Sequence, residues 1–298
     1  MPDNKGTRSV VDPEAELDRI EAGLDALSTG VAKKRPWPRR VLATVTPPLA
    51  ACVLVLLCWQ VVVVALHLQP SYVLPGPGDV GHSLVAQWGN GQLLDAIWRS
   101  LSRAVLGYAA SVVIGTLLGL LVARLSWVRS AIKPVLSGLQ SLPSVAWIPA
   151  AIMWFGLTDG AVYTVVLLGA VPSVAVGMVN GHDQIPPLYG KVGRILGAKG
   201  LRAAQLVTLP AALPGYLSGL RQAWAFAWRS LMAAELITQS PDLGTGLGQL
   251  LDRHRELSEM DGVMAVIITI LVVGIVVELL LFAPVERRIL RRRGLLAH

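Results

Sequence analysis

Residues 104–123 read AVLGYAASVVIGTLLGLLVA, a run without a single formal charge. As a helix rising 1.5 Å per residue it extends about 30 Å, the thickness of the hydrocarbon core of a bilayer. This stretch therefore predicts a membrane-crossing helix. Gly115 and Gly119 within it form a small-xxx-small pair, which lets a second helix approach closely without naming that helix.

The composition of the chain extends the same reading. Of its 298 residues 53% are hydrophobic and only 15% charged, and the mean hydropathy is +0.57. A soluble domain carries nearer a quarter charged residues. Disordered chains, secreted disulfide scaffolds and most cytosolic enzymes are excluded. Further apolar blocks occupy residues 49–67, 135–156, 161–181, 213–237 and 262–283. With 104–123 they predict an all-α membrane protein of six transmembrane helices. The third block carries Gln140, Ser141, Pro143, Ser144 and Pro149, so its backbone is expected to kink or break. The fourth has Pro172 and Ser173 near its middle and follows a short turn, which makes the third and fourth a hairpin.

The net charge of +7 is explained by orientation. With six spans, 20 of the 26 Lys and Arg fall in segments on one side (1–48, 124–134, 182–212 and 284–298) and four on the other. The positive-inside rule then places both termini in the cytoplasm and makes a nucleic-acid partner unnecessary. The predicted organisation is a cytoplasmic tail over 1–42, a transmembrane domain over 43–286 and a basic cytoplasmic tail over 287–298. Leu17, Ile20, Leu24 and Leu27 fall on one face after Asp12-Pro13-Glu14, so a short amphipathic helix is expected over 13–27. No signal peptide is expected in the polar first forty residues. Residues 69–81 form a Pro/Gly turn cluster, after which Leu84, Trp88, Leu93, Leu94, Ile97 and Leu101 predict amphipathic helix leading into the second span. Arg287, Arg288 and Arg291–Arg293 read as the cytoplasmic stop of the sixth span, and contact with anionic membrane lipid would give the same pattern.

Polar groups at membrane depth are the candidates for function. An ionisable side chain at the bilayer centre costs roughly 2.5–3.5 kcal/mol on insertion scales, so Arg229 needs a partner or a cavity. It is the leading candidate for a translocation path, with Gln140, Ser141, Ser144 and Glu235 beside it. A structural pair of Arg229 with Glu235 or Glu278 is the alternative, although six residues of helix set Arg229 and Glu235 on different faces. Trp147, Trp154, Trp224 and Trp228 read as interface anchors or core. Cys52 and Cys58 lack metal or redox spacing and read as packing residues, and no metal site is predicted. The five His lie in loops or at span edges, which argues against an enzyme working inside the membrane.

Residues 182–212 make a loop of about thirty residues with a helical pattern, and loops of that length are usually functional. Its motif, Lys191-Val-Gly-Arg-Ile-Leu-Gly197, nine residues, then Val207-Thr-Leu-Pro210, resembles the EAA loop of ATP-binding-cassette importer permeases. Gly197, Leu209 and Pro210 match the family pattern and Val207 matches conservatively. Lys191 stands where the family usually has Glu, and Val192 and Gly193 where it has two Ala. Tyr72-Val-Leu-Pro-Gly-Pro77, Ser100-Leu-Ser-Arg103, Leu142-Pro-Ser-Val-Ala-Trp-Ile-Pro149, Ile152-Met-Trp-Phe-Gly156 and Leu209-Pro-Ala-Ala-Leu-Pro214 look like the aliphatic sulfonate/nitrate/taurine branch. Residues 45–293 share the resemblance.

That resemblance implies a type I importer permease of MetI-like fold, acting without a cofactor. Two copies of the chain would form the pore and two copies of a separate ATPase subunit would dock on a helix starting at Pro187. A solute-binding protein would deliver the substrate outside. The chain itself lacks a phosphate-cradling G-x-x-x-x-G-K-[ST] loop, since neither Lys191 nor Lys199 sits in one, so ATP hydrolysis is assigned to the partner. The implied substrate is a small anion, aliphatic sulfonates first and taurine or nitrate next. The other readings are a neutral heterocycle such as a pyrimidine precursor carried by the same machinery, or an ion-coupled secondary transporter.

Overall fold

A computed structural model of the protein describes residues 53–65, 73–239 and 244–292, with Thr46, Ala50 and Ala51. The amphipathic helix expected over 13–27, and the tails beyond, lie outside the described residues. By internal contacts the chain divides into residues 1–58 and 59–298. In the first unit the described residues include the start of an apolar helix, α1 (Val53–Val63), whose Cys58 thiol is free and exposed.

The described residues of the second unit are helical throughout, with short connections. The elements are α2 (Pro77–Gly89), α3 (Gln92–Arg124), α4 (Ser126–Ser141), a 3-10 turn (Ser144–Trp147), α5 (Ile148–Phe155), α6 (Asp159–Asp183), α7 (Pro187–Ile195), α8 (Leu209–Ile237), α9 (Leu247–Glu256), α10 (Met260–Val277) and α11 (Ala283–Arg292). A short helix (Gly200–Ala203) and a π-helical turn (Ala204–Thr208) lead into α8, and a second π-helical turn (Glu278–Phe282) joins α10 to α11.

The described residues of the six apolar blocks fall in α1, α3, the pair α4–α5, α6, α8 and α10 with the π-helical turn after it. Among the described residues three of these, α3, α6 and residues Met260–Arg291, are long and apolar enough to cross a membrane, and the bent pair makes a fourth if its two halves are one span. The described part of α1 is shorter. α8 is 29 residues long but is not in that group, because Arg221, Gln222, Arg229 and Glu235 interrupt its apolar character.

The expected break in the third span is a bend of 99° between residues Trp127–Ser141 and Ser144–Phe155. Its cause is local. Pro143 forces the residue before it out of helical geometry, and Leu142 is extended at φ −77°, ψ 125°. Pro149 breaks nothing: it sits in the first turn of α5, where the missing N–H costs no hydrogen bond. The amphipathic segment before the second span proves to be two helices. Gly91, at φ +79°, turns the chain between α2 and α3, and α3 then runs unbroken into the span.

α6 is the central helix, with α3 packed on one side of it and α8 on the other. The partner of the Gly115/Gly119 face is now identified. A Cβ on Gly115 would lie 2.5 Å from Val174 Cβ, and one on Gly119 2.6 Å from Met178 Cβ, so hydrogen at these two positions is what lets α3 meet α6. On the other side Gly177 and Gly219 cross almost backbone to backbone. One buried core is shared by these helices and includes Val166, Ala170, Val174 and Met178 of α6 with Ala223, Trp224, Ala227 and Leu231 of α8.

Candidate coupling loop and translocation path

The loop between α6 and α8 folds into a helix with defined ends. Pro187 opens α7 at a position where its fixed φ suits the first turn. The end is a Schellman closure: Ala198 N–H donates to Gly193 O at 2.9 Å and Gly197 N–H to Arg194 O at 3.1 Å. The closure needs a left-handed residue, and Gly197 supplies it at φ +79°. Gly193 is buried with its Cα face against Val207, since a Cβ there would come within 2.9 Å of Val207 Cγ2. Val192, Gly193, Val207 and Pro210, singled out from the sequence, thus line one cleft of about 340 Å³ together with Tyr189, Leu196 and Leu206. Leu209 is half-buried at the start of α8. Pro187 and Lys191 are exposed on α7, as are the large apolar side chains of Leu188, Tyr189, Ile195 and Leu196.

The path candidates separate into two environments. Gln140 is half-buried and donates to Ser173 Oγ at 3.3 Å. Ser141 is exposed and bonds back to Gly138 O, while Ser144 is half-buried beside Gly169 of α6. Arg229 is exposed on α8. Its Nε donates to Ala225 O at 3.0 Å and its guanidinium lies over the Phe226 ring, 4.7 Å from the centroid. The acids considered as its structural partners are paired elsewhere: Glu235 with Arg103, and Glu278 with Arg221 at 2.5 Å.

Glu235 lines no surface in this structure, which departs from its placement among the path residues. It is 0% exposed at the end of α8 remote from the coupling loop. Ser100 Oγ donates to it at 2.6 Å, Arg103 Nη1 at 3.1 Å and Gly248 N–H at 3.1 Å. Leu247 N–H donates to Ser100 Oγ at 2.8 Å, and Arg103 Nε reaches Asp159 Oδ1 at 2.8 Å. Four helices, α3, α6, α8 and α9, therefore meet on one charged network, buried at Ser100, Arg103 and Glu235 and open to the surface at Asp159. Side chains of α3 and α8 satisfy the first N–H groups of α9, groups a helix leaves without an internal partner. Sequence reasoning missed this network. Its available signal was Arg103 in the Ser100–Arg103 motif, which the sequence reading used for the family resemblance and the charge balance without giving it a partner.

Of the tryptophans, Trp224 and Trp228 are core residues that stack on each other at 6.3 Å, with Tyr108 edge-on to Trp224 at 5.4 Å. Trp154 is exposed on α5 and Trp147 half-buried.

Comparison with known proteins bears directly on this arrangement. Residues 111–291 match the family model described as binding-protein-dependent transport system inner membrane component. The taurine transport system permease protein TauC of Escherichia coli is 27% identical over 263 residues, which cover 87% of this chain and 94% of that protein. A Bacillus subtilis protein named as an aliphatic sulfonates transport permease protein, SsuC, is 30% identical over 236 residues, 79% of this chain and 83% of its own length. A chain from the inward-facing structures of the MetNI methionine ABC transporter superposes with a TM-score of 0.56 at 19% identity, covering 66% of this chain and 95% of that one, a likeness of fold. With more than half of its length inside the matched model, this chain belongs to the binding-protein-dependent transport system inner membrane component family and is a multi-pass membrane permease, not an enzyme.

Proposed function

We propose that this chain is the permease subunit of an ATP-driven importer for a small anion, with aliphatic sulfonates and taurine the leading substrates and nitrate next. The observation that carries the reading is Arg229. A guanidinium exposed on a span at membrane depth is costly unless it faces water or a substrate, and its planar donors suit a sulfonate or nitrate oxygen pair. The similarity to a taurine permease and to a protein named for aliphatic sulfonates supports the same class.

In this reading two copies form the pore and two ATPase subunits dock on α7 and its cleft, with both termini on that cytoplasmic side. A solute-binding protein delivers the anion at the opposite face. The permease domain spans residues 43–286, between an N-terminal tail and a basic C-terminal tail whose Arg287, Arg288 and Arg291 contact anionic lipid. ATP-driven closure of the ATPase pair pushes on α7, and α7 transmits the push through Gly193 and Val207 to the base of α8, switching the pore between its two faces. Pro187 and Gly197 fix the ends of this lever, and Leu209 and Pro210 join it to the span. Lys191 places a cation where the related loops usually place an acid, so the ATPase groove is expected to carry an acid opposite it. Gln140, Ser141 and Ser144 border the path at the bend.

The test is uptake of labelled taurine and ethanesulfonate by proteoliposomes containing the chain, its ATPase and its binding protein. Uptake that requires ATP and falls at least tenfold in Arg229→Gln, with the complex still assembled, is the expected result. Uptake without ATP or ATPase would refute the importer reading, and unchanged uptake in Arg229→Gln would refute the anion role of that residue.

A further inference from the structure

The exposed faces of the long helices differ in chemistry. α3 exposes Val105, Leu106, Val113, Ile114, Leu117 and Leu121, and α10 exposes Ile267, Leu271, Val272, Ile275 and Val276, as lipid-facing helices should. α8 does the reverse. Between Pro210 and Ile237 its exposed residues are Ser218, Arg221, Gln222, Ala225 and Arg229, not one of them large and apolar. Ser218, Gln222, Ala225 and Arg229 follow at intervals of four, three and four residues, which at 100° per residue confines them to about 60° of arc. They form one straight stripe. A polar stripe at this depth facing hydrocarbon would leave its donors without partners, so it faces water or protein.

The charges along the stripe are graded. Arg221 flanks it but is neutralised, with Nη2 at 2.5 Å from Glu278 Oε1 and Nη1 at 3.3 Å from Glu286 Oε2. Arg229 has only the Ala225 carbonyl on Nε and the Phe226 ring beneath it, and among the described residues its Nη1 and Nη2 have no partner. Gln222, about 10 Å nearer the coupling loop by helical rise, holds its amide uncommitted among the described residues. Ser218, about 16 Å from Arg229, keeps its hydroxyl on Gly215 O at 2.7 Å. Ala225 between them adds no bulk.

From this we infer that the α8 stripe is the wall of the anion's route: Arg229 captures the anion, and Gln222 and then Ser218 pass it on as neutral donors. The inference rests on the importer reading and adds to it the residues after capture. The physical reason for neutral steps is release. A conducting site must bind firmly enough to admit the ion and weakly enough to let it go. A second unpaired cation below Arg229 would hold the anion, and the two glutamates that tie up Arg221 remove that trap.

Thiol accessibility in the assembled complex tests the stripe directly. With Cys52→Ser and Cys58→Ser as background, single cysteines are placed at Ser218, Gln222, Ala225 and Arg229, and at the lipid-facing controls Leu117 and Leu271. Each is treated with a methanethiosulfonate carrying either a sulfonate or a trimethylammonium group. The four stripe positions should be modified at least tenfold faster than the two controls. At Ala225→Cys and Gln222→Cys the sulfonate reagent should be preferred, and Arg229→Gln should abolish that preference. Stripe cysteines as unreactive as the controls, or modification with no charge preference, would overturn the inference. ATP-driven uptake measured on the same background distinguishes a failure of the importer reading, which would leave the labelling pattern intact.

Discussion

Glu235 shows how burial overrules a reading by residue type. A carboxylate near the end of a span reads as part of a path, yet here it is the hub on which Ser100, Arg103 and Gly248 converge. Removing one member of a buried pair leaves the other charge uncompensated, which costs about 3–5 kcal/mol. Glu235→Ala is therefore expected to lower the melting temperature of the purified protein strongly, followed by tryptophan fluorescence. Glu235→Gln keeps the shape and leaves an acceptor for Ser100 and Gly248, so it should cost less. Gly177 makes the complementary point for packing. A Cβ there would lie 2.5 Å from Gly219 Cα, backbone that cannot rotate away, so Gly177→Leu should separate α6 from α8 and destabilise the protein by at least the ~1–3 kcal/mol typical of overpacking. The same melt measures it, and an unchanged transition would show that the helices can part without loss.

α7 is the element whose reading and structure agree most closely in local geometry. Gly197 stood out as a motif position, and the structure supplies its reason in a left-handed closure that other residues adopt at a cost of roughly 1–2 kcal/mol. Gly197→Ala should fray that end, seen as faster proteolysis within residues 187–203. Among the described residues, Leu188, Ile195 and Leu196 keep most of their apolar surface exposed. Replacing all three with Ser should leave the fold intact and reduce co-purification of the ATPase at least tenfold, which corresponds to about 1.4 kcal/mol. Undiminished recovery of the ATPase would place its contact elsewhere. The bend between α4 and α5 was equally legible, since a proline constrains the residue before it wherever it occurs. The roles of Pro143 and Pro149 were not separable in advance, because a proline ends one helix and begins the next with the same ring.

At the scale of the whole molecule, the 20-to-4 distribution of cations predicts that both ends of the chain face the cytoplasm. A reporter fused after His298 should be active only in a form that requires the cytoplasm; activity of the extracytoplasmic form would reverse the topology and move α7 to the wrong side for an ATPase. The sequence by itself determined the membrane as solvent, the approximate spans, the bend and the family resemblance. Each of these follows from features local in the chain: runs of apolar residues, proline positions and motif spacing. Only the tertiary structure decided that Gly115 and Gly119 serve α6, that Glu235 is bound in a four-helix network, and that α8 exposes a polar stripe where α3 and α10 expose apolar ones. Those facts depend on which helices pack against which. Helical periodicity places residues on a face but leaves the neighbour of that face unspecified, and burial is a property of the neighbour.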